Sequence, residues 1–257
     1  MDHKEYKRIN DSARIAVLFI HGILGTPNHF DKFVELVPSS LSVCNMLLDG
    51  HGHGVSEFSC ASMSAWENQV SSTVDELSAR HDEIYIVAHS MGTLLAIEQA
   101  LKNTKISKLF LLAVPLRLSL KFKMISSSVK VYTDRIKPDD YEGLEAKRCC
   151  GIKHSKNIFK YIGWIPRFFD LFAKIKKTGP MIALLNTDCA AYQSDKDEMV
   201  SLKSAKSLSS NPRIRVFRLE NSSHYYYDEH DLDFLLNEFI KMIKGDMPKD
   251  IYQNIDF

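Results

Sequence analysis

The chain has no uninterrupted apolar run of about 18 residues, the length a membrane-spanning helix needs. Its opening stretch, Met-Asp-His-Lys-Glu-Tyr-Lys-Arg, lacks the apolar core of a secretion signal. A soluble, unsecreted, cytoplasmic protein is therefore expected. Cysteine is scarce: Cys44, Cys60, Cys149, Cys150 and Cys189 are odd in number and irregular in spacing, which argues against a disulfide framework and a zinc site. They read as reduced thiols; a redox pair at Cys149-Cys150 is the alternative, but adjacent cysteines are more often unpaired. An excess of one charge is also lacking. With 33 Lys and Arg against 32 Asp and Glu, the net charge is +1 and gives no global reason to expect nucleic acid. Histidine and aspartate do meet in Asp49-Gly50-His51-Gly52-His53-Gly54. No second ligand cluster lies at a recognised spacing, so this stretch is expected to be a glycine-rich structural loop rather than a metal site.

Apolar strand runs and amphipathic helices alternate along the 257 residues, which are enough for one large α/β domain. Arg14 to Ile20 is nearly all apolar, as in a strand covered on both faces. The turn His21-Gly22-Ile23-Leu24-Gly25 follows, where glycine allows a tight fold and leaves the Ile23 N–H pointing outward. Thr26 is a candidate cap and Pro27 a candidate first residue for a helix with Phe30, Phe33, Val34 and Val37 on one face. Val43 to Leu48 reads as the next strand. Ser64-Ala65-Trp66-Glu67 has the form of a capping box ahead of Trp66, Val70, Val74 and Leu77. Later strands are expected at Lys108 to Val114, Cys189 to Gln193 and Ile214 to Leu219, with helices near Val200 to Leu208 and after Asp228. The last helix has Asp228, Glu229 and Asp231 near its start and Lys241 and Lys244 near its end, matching the helix dipole. Such alternation predicts a doubly wound, mostly parallel sheet with ligands at the carboxyl ends of the strands. Residues 116–180 break the alternation and read as a helical insertion between core segments 1–115 and 181–257.

The strand Ile84-Tyr85-Ile86-Val87-Ala88 breaks at Ser90 into a helix-forming segment. A serine on such a turn is exposed on strained backbone, and the N–H of Met91 can aim at the same reacting atom; Ala88 and Gly92 are small enough to pass across the turn. The plain alternative is a serine capping an ordinary helix. A hydroxyl needs a base, and the base needs a carboxylate to fix its tautomer. His224 follows the Ile214 strand, and Asp195 and Asp197 both follow the Cys189 strand, so two carboxylates compete. Taken singly, an Asp-rich turn is usually solvated and a loop histidine usually sits on the surface. All three elements fall at strand ends in the order Ser, Asp, His.

His21-Gly22-Ile23-Leu24-Gly25, Asp49-Gly50-His51-Gly52, His89-Ser90-Met91-Gly92, Asp197-Glu198-Met199-Val200 and Ser223-His224 together resemble the α/β-hydrolase superfamily. Within it the chain is similar to bacterial carboxylesterases and monoacylglycerol-lipase-like serine hydrolases, over most of its length. The resemblance implies Ser90 as nucleophile, His224 as base, Asp197 as acid and the N–H groups of Ile23 and Met91 as oxyanion hole. It implies a small helical cap at the insertion, no cofactor, and carboxylic esters as substrates, with thioesters, amides or C–C bonds as alternatives on the same groups. A scaffold that binds a small ligand without turning it over is a weaker alternative. Thr93 departs from the second glycine common in the family, and the N-terminus is short for an added hairpin. Monoacylglycerols or short-to-medium acyl esters are suggested by Phe122, Met124, Ile125, Trp164, Phe168 and Phe172, which serve equally well to hold the cap to the sheet. The insertion carries 15 Lys and Arg against 6 Asp and Glu, +9, which leaves −8 elsewhere. Solvated lysines explain this simply; the functional alternative draws anionic substrates or an anionic lipid surface to the cap.

Overall fold

Helices on both sides of a parallel sheet bury each central strand on both faces, so the strands are nearly continuous apolar runs. A computed structural model describes residues 3–119 and 136–245. Its sheet contains β1 (Tyr6–Arg8), β2 (Ile15–Ile20), β3 (Ser42–Asn45), β4 (Glu83–His89), β5 (Ile106–Leu112), β6 (Asp188–Ser194) and β7 (Ile214–Leu219). The spatial order is β1-β3-β2-β4-β5-β6-β7. Strands β2 to β7 are parallel, and β1 pairs antiparallel with β3 at one edge. The short N-terminus thus does supply an edge strand. Its Tyr-Lys-Arg sequence has no buried face to betray it.

The pleat sends alternate residues into two cores. Ala16, Leu18 and Ile20 of β2 and Ile84, Ile86 and Ala88 of β4 join one cluster with Trp66, Val70 and Leu94; Ile15, Val17, Phe19, Tyr85 and Val87 join the other with Phe33 and Phe239. The helices are α1 (Asp31–Val34), α2 (Val55–Cys60), α3 (Met63–Arg80), α4 (Met91–Lys102), α5 (Tyr141–Cys149), α6 (Ile165–Thr178), α7 (Lys203–Leu208) and α8 (Glu229–Lys244). Winding reverses between β2 and β4, the point at which an open α/β sheet leaves a crevice beyond its carboxyl ends.

Two caps differ from expectation. The hydroxyl of Ser62, not Ser64, accepts the N–H of Ala65, because extended backbone at Ser62 starts α3 two residues earlier. Thr26 makes no capping bond; its hydroxyl donates to the Cys149 carbonyl at 3.2 Å, and a 3-10 turn at Pro27–Phe30 precedes α1. Helix α8 follows the predicted charge pattern, with Asp228 accepting the His230 N–H. The helix expected near Val200 begins at Lys203, since Asp197 engages the intervening backbone.

Between β5 and β6 the described chain carries α5, a 3-10 segment at Ile158–Trp164, α6 and a 3-10 segment at Gly179–Leu184, with isolated β-bridges from Leu118 to Val200 and from Lys153 to Gly54. Trp164 fastens it to the core by donating Nε1–H to the Val55 carbonyl at 3.3 Å and meeting Phe58 edge-on at 5.1 Å. Lys174 is buried, with its ammonium 2.6 Å from Glu67 of α3 and also bonded to Glu98 of α4. One of the cations expected to be solvated is therefore internal. Trp164 and the partly buried Phe168 pack on the core, whereas Phe172 is exposed; Phe122, Met124 and Ile125 lie outside the described residues.

Candidate active site

Ser90 directly follows β4 with φ 50° and ψ −122°. This region is sparsely populated for a residue with a Cβ and costs about 1–3 kcal/mol. Neighbouring bonds hold it there: the Ser90 N–H donates to Leu112 O at 2.9 Å, and the Ser90 carbonyl accepts both the Thr93 N–H at 2.9 Å and the Thr93 hydroxyl at 2.6 Å. Thr93, a departure from the family's glycine, thus contributes a hydroxyl that secures the elbow. Space is equally restrictive. A Cβ on Gly92 would lie 2.2 Å from Ile20 O, and one on Gly22 would lie 2.8 Å from the Ser90 Cβ. Gly22 is therefore needed for close approach; the positive φ of its turn falls instead on Leu24, at 61°.

Met91 opens α4, so its N–H has no partner one helical turn back. Ile23 lies inside the turn closed by the Gly25 N–H on Gly22 O at 3.0 Å. Neither N–H enters a hydrogen bond among the described residues. Two donors at the carboxyl ends of adjacent strands β2 and β4 are thus left available beside Ser90.

The loops after β6 and β7 bring the other two groups together. His224 Nδ1–H donates to Asp197 Oδ2 at 2.9 Å, with both side chains buried. Asp197 Oδ1 accepts the N–H groups of Met199 and Val200 at 2.7 and 2.8 Å, which fixes the carboxylate from behind. Asp195 is used elsewhere, paired with the exposed guanidinium of Arg218. Burial alone would lower the His224 pKa, but the Asp197 charge and hydrogen bond, helped by Glu198, outweigh it and the net shift is upward. Burial likewise opposes ionisation of Asp197, yet His224 and the two N–H donors hold its pKa below the ordinary value. Asp231, in the first turn of α8, accepts the Asn221 N–H and the Ser222 hydroxyl and so anchors the histidine loop.

Spacing gave no sign of the histidines stacked behind this loop. His89 directly precedes the nucleophile candidate in sequence. It lies off the elbow, but its Nε2–H donates to the His224 carbonyl at 2.9 Å, and the rings are 4.7 Å apart. His29 stacks on His89 at 4.0 Å and bonds the Tyr227 hydroxyl at 3.2 Å. Burial drives the His89 pKa down to about 3, which keeps the imidazole neutral at working pH. His21 accepts the Leu48 N–H at 3.0 Å on one ring nitrogen and donates to Gly22 O at 2.8 Å from the other, which ties the Ile23 turn to β3's exit. His51 of the glycine-rich loop is buried beside His21 and bonded to the carbonyls of Leu48 and Asp49. We expect His89→Ala to leave the His224 carbonyl unsatisfied and cost about 1–3 kcal/mol of stability. Its turnover should fall much less than that of His224→Ala. Thermal melts and steady-state ester kinetics on both variants check the order, and a larger catalytic loss at His89 would reverse the roles.

The alpha/beta hydrolase family model matches residues 17–238. The chain therefore belongs to the alpha/beta hydrolase family. No curated protein matches it in sequence. Among solved structures it is similar to one described with the metagenome-derived lipolytic enzymes LipS and LipT, with a TM-score of 0.71, 17% identity and coverage of 95% of this chain and 98% of that one. A monoacylglycerol lipase of Paleococcus ferrophilus aligns with a TM-score of 0.64 and 16% identity over 93% and 98% of the two chains. A soluble variant of monoglyceride lipase from Saccharomyces cerevisiae aligns at 0.63 and 14% over 93% and 89%. At these identities the likeness is one of fold.

Proposed function

We propose that the protein hydrolyses carboxylic esters through an acyl-enzyme on Ser90, His224 and Asp197. The observation that carries this reading is the buried His224–Asp197 hydrogen bond on loops that share the sheet's carboxyl edge with a strained Ser90. In this reading His224 takes the Ser90 proton as Oγ attacks the ester carbonyl, and the N–H groups of Ile23 and Met91 hold the developing oxyanion. His224 then protonates the leaving alcohol, and water, activated by the same imidazole, releases the acid. The solved structures named as lipases support esters as the substrate class. We further propose short-to-medium acyl esters or monoacylglycerols. A pocket of about 710 Å³ has Tyr141, Leu144, Ile152 and Tyr226 in its walls beside charged groups such as Glu145, Lys147 and Arg148, and the N–H of Gly151 in its lining donates to Leu24 O at 3.0 Å, one residue from Ile23. In this reading the acyl or glycerol part of the substrate would occupy that pocket.

Fluorophosphonate labelling, lost in Ser90→Ala, tests for an activated serine, and a panel of ester, thioester and amide substrates of equal acyl length tests the bond. Esters should turn over fastest; faster amide or thioester cleavage would replace this reading. The base must be neutral to accept a proton. Because the His224 pKa is raised, the rising limb of kcat/KM should lie above the ordinary imidazole value of 6.5. A limb below that value would contradict the role of the Asp197 charge.

A further inference from the structure

Large apolar side chains gather on the outer surface of the insertion. Ile158 and Phe159 are each 73% exposed and Phe169 is 65% exposed, with Ile162, Ile165 and Phe172 exposed as well. A soluble surface tolerates such residues singly, but a run of them marks a contact face. The geometry is that of an amphipathic element with two distinct stripes. Trp164, Leu171, Lys174 and Thr178 face inward, while Ile165, Phe169 and Phe172, at spacings of four and three, share an outward stripe; the last two rings lie 6.4 Å apart. The core side is already satisfied through Trp164 on Phe58 and Lys174 on Glu67 and Glu98.

Charge identifies what fits the outward stripe. Lys156 and Lys160 flank Ile158 and Phe159, and Lys176 lies one helical turn beyond Phe172; all three are exposed. From residue 153 to 177 there is one acidic residue, Asp170, and it pairs with Arg167. We propose that this face docks on the surface of a bilayer containing anionic phospholipid, with the aromatic and aliphatic groups entering the headgroup boundary and the lysines contacting lipid phosphates. Basic residues beside exposed Phe, Ile and Leu are what an interfacial helix presents to such a membrane. Lysine is depleted at protein interfaces, which disfavours a protein partner. A second copy on a two-fold axis would set lysine against lysine. The contact is peripheral, since no helix among the described residues is long and apolar enough to cross a membrane.

Sedimentation of the full chain with vesicles tests this without any turnover. On phosphatidylcholine vesicles with about 30 mol% phosphatidylglycerol at about 0.1 M salt the protein should bind. Binding should weaken by about tenfold or more on pure phosphatidylcholine, at about 0.5 M salt, in Lys156→Glu/Lys160→Glu, and in Ile158→Ser/Phe159→Ser/Phe169→Ser. Those positions are exposed, so circular dichroism and turnover of a small soluble ester should be unchanged, and Ser90→Ala should bind as the parent does. Failure of the ester reading thus leaves this measurement intact. Absence of binding, or equal binding to neutral vesicles, overturns the proposal. So does a concentration-dependent dimer that Phe169→Ser abolishes, which would give the face to a second copy.

Discussion

Ser90→Ala should lower kcat on a p-nitrophenyl ester by about 10⁶-fold, the scale of loss when the nucleophile of a serine triad is removed. The variant should fold normally. The elbow is held by main-chain atoms of Ser90, its N–H on Leu112 O and its carbonyl under Thr93. The side-chain hydroxyl takes no part in those bonds, and alanine bears the same Cβ in the same strained region. Removing the oxygen therefore removes chemistry and leaves the turn. The Ile23 and Met91 N–H groups would remain in place, so some acceleration over water should survive. Turnover comparable to the parent, in a preparation free of contaminating esterase, would sink the assignment.

The centre of the sheet is legible in the sequence because its strands there are buried on both faces. β2 and β4 have no polar alternation to confuse them with surface strands, and both begin and end within a residue or two of the expected positions. β1 is not legible: its three residues pair through backbone atoms alone, and hydrogen-bonding groups of the main chain leave no trace in side-chain pattern. The caps fail for a related reason. Ser62 and Ser64 are both chemically able to cap α3, and the choice depends on backbone angles at Ser62.

At the site, local chemistry was easier to read than long-range contact. The elbow announces itself because Ala88, Ser90 and Gly92 answer a steric demand within five residues. The stacking of His29 on His89 joins positions 60 residues apart and has no periodic signature, so it emerges only from the folded chain. The charge balance of the insertion was countable, yet counting could not show that Lys174 is spent inside on two glutamates.

Asp197 and Asp195 are the sharpest case, since both lie two residues apart in the same turn and residue type alone does not separate them. Burial does. Asp197 is enclosed, with one oxygen on His224 and the other under two backbone N–H groups, while Asp195 faces Arg218 on the solvent side. Asp197→Asn should cost about 10⁴-fold in turnover, because an amide in that position favours the wrong imidazole tautomer. Asp195→Asn removes only an ion pair at the protein surface, where solvent screens the charges, so its turnover should stay close to normal. A second readout separates misorientation from general damage. In the parent, burial lowers the His224 pKa and the Asp197 carboxylate more than reverses it; with the charge gone, burial remains. The rising limb of the residual kcat/KM in Asp197→Asn should therefore move to lower pH, whereas a merely destabilised fold would lose amplitude without that shift. Near-normal turnover in Asp197→Asn together with inactivity in Asp195→Asn would transfer the acid's role to the other carboxylate.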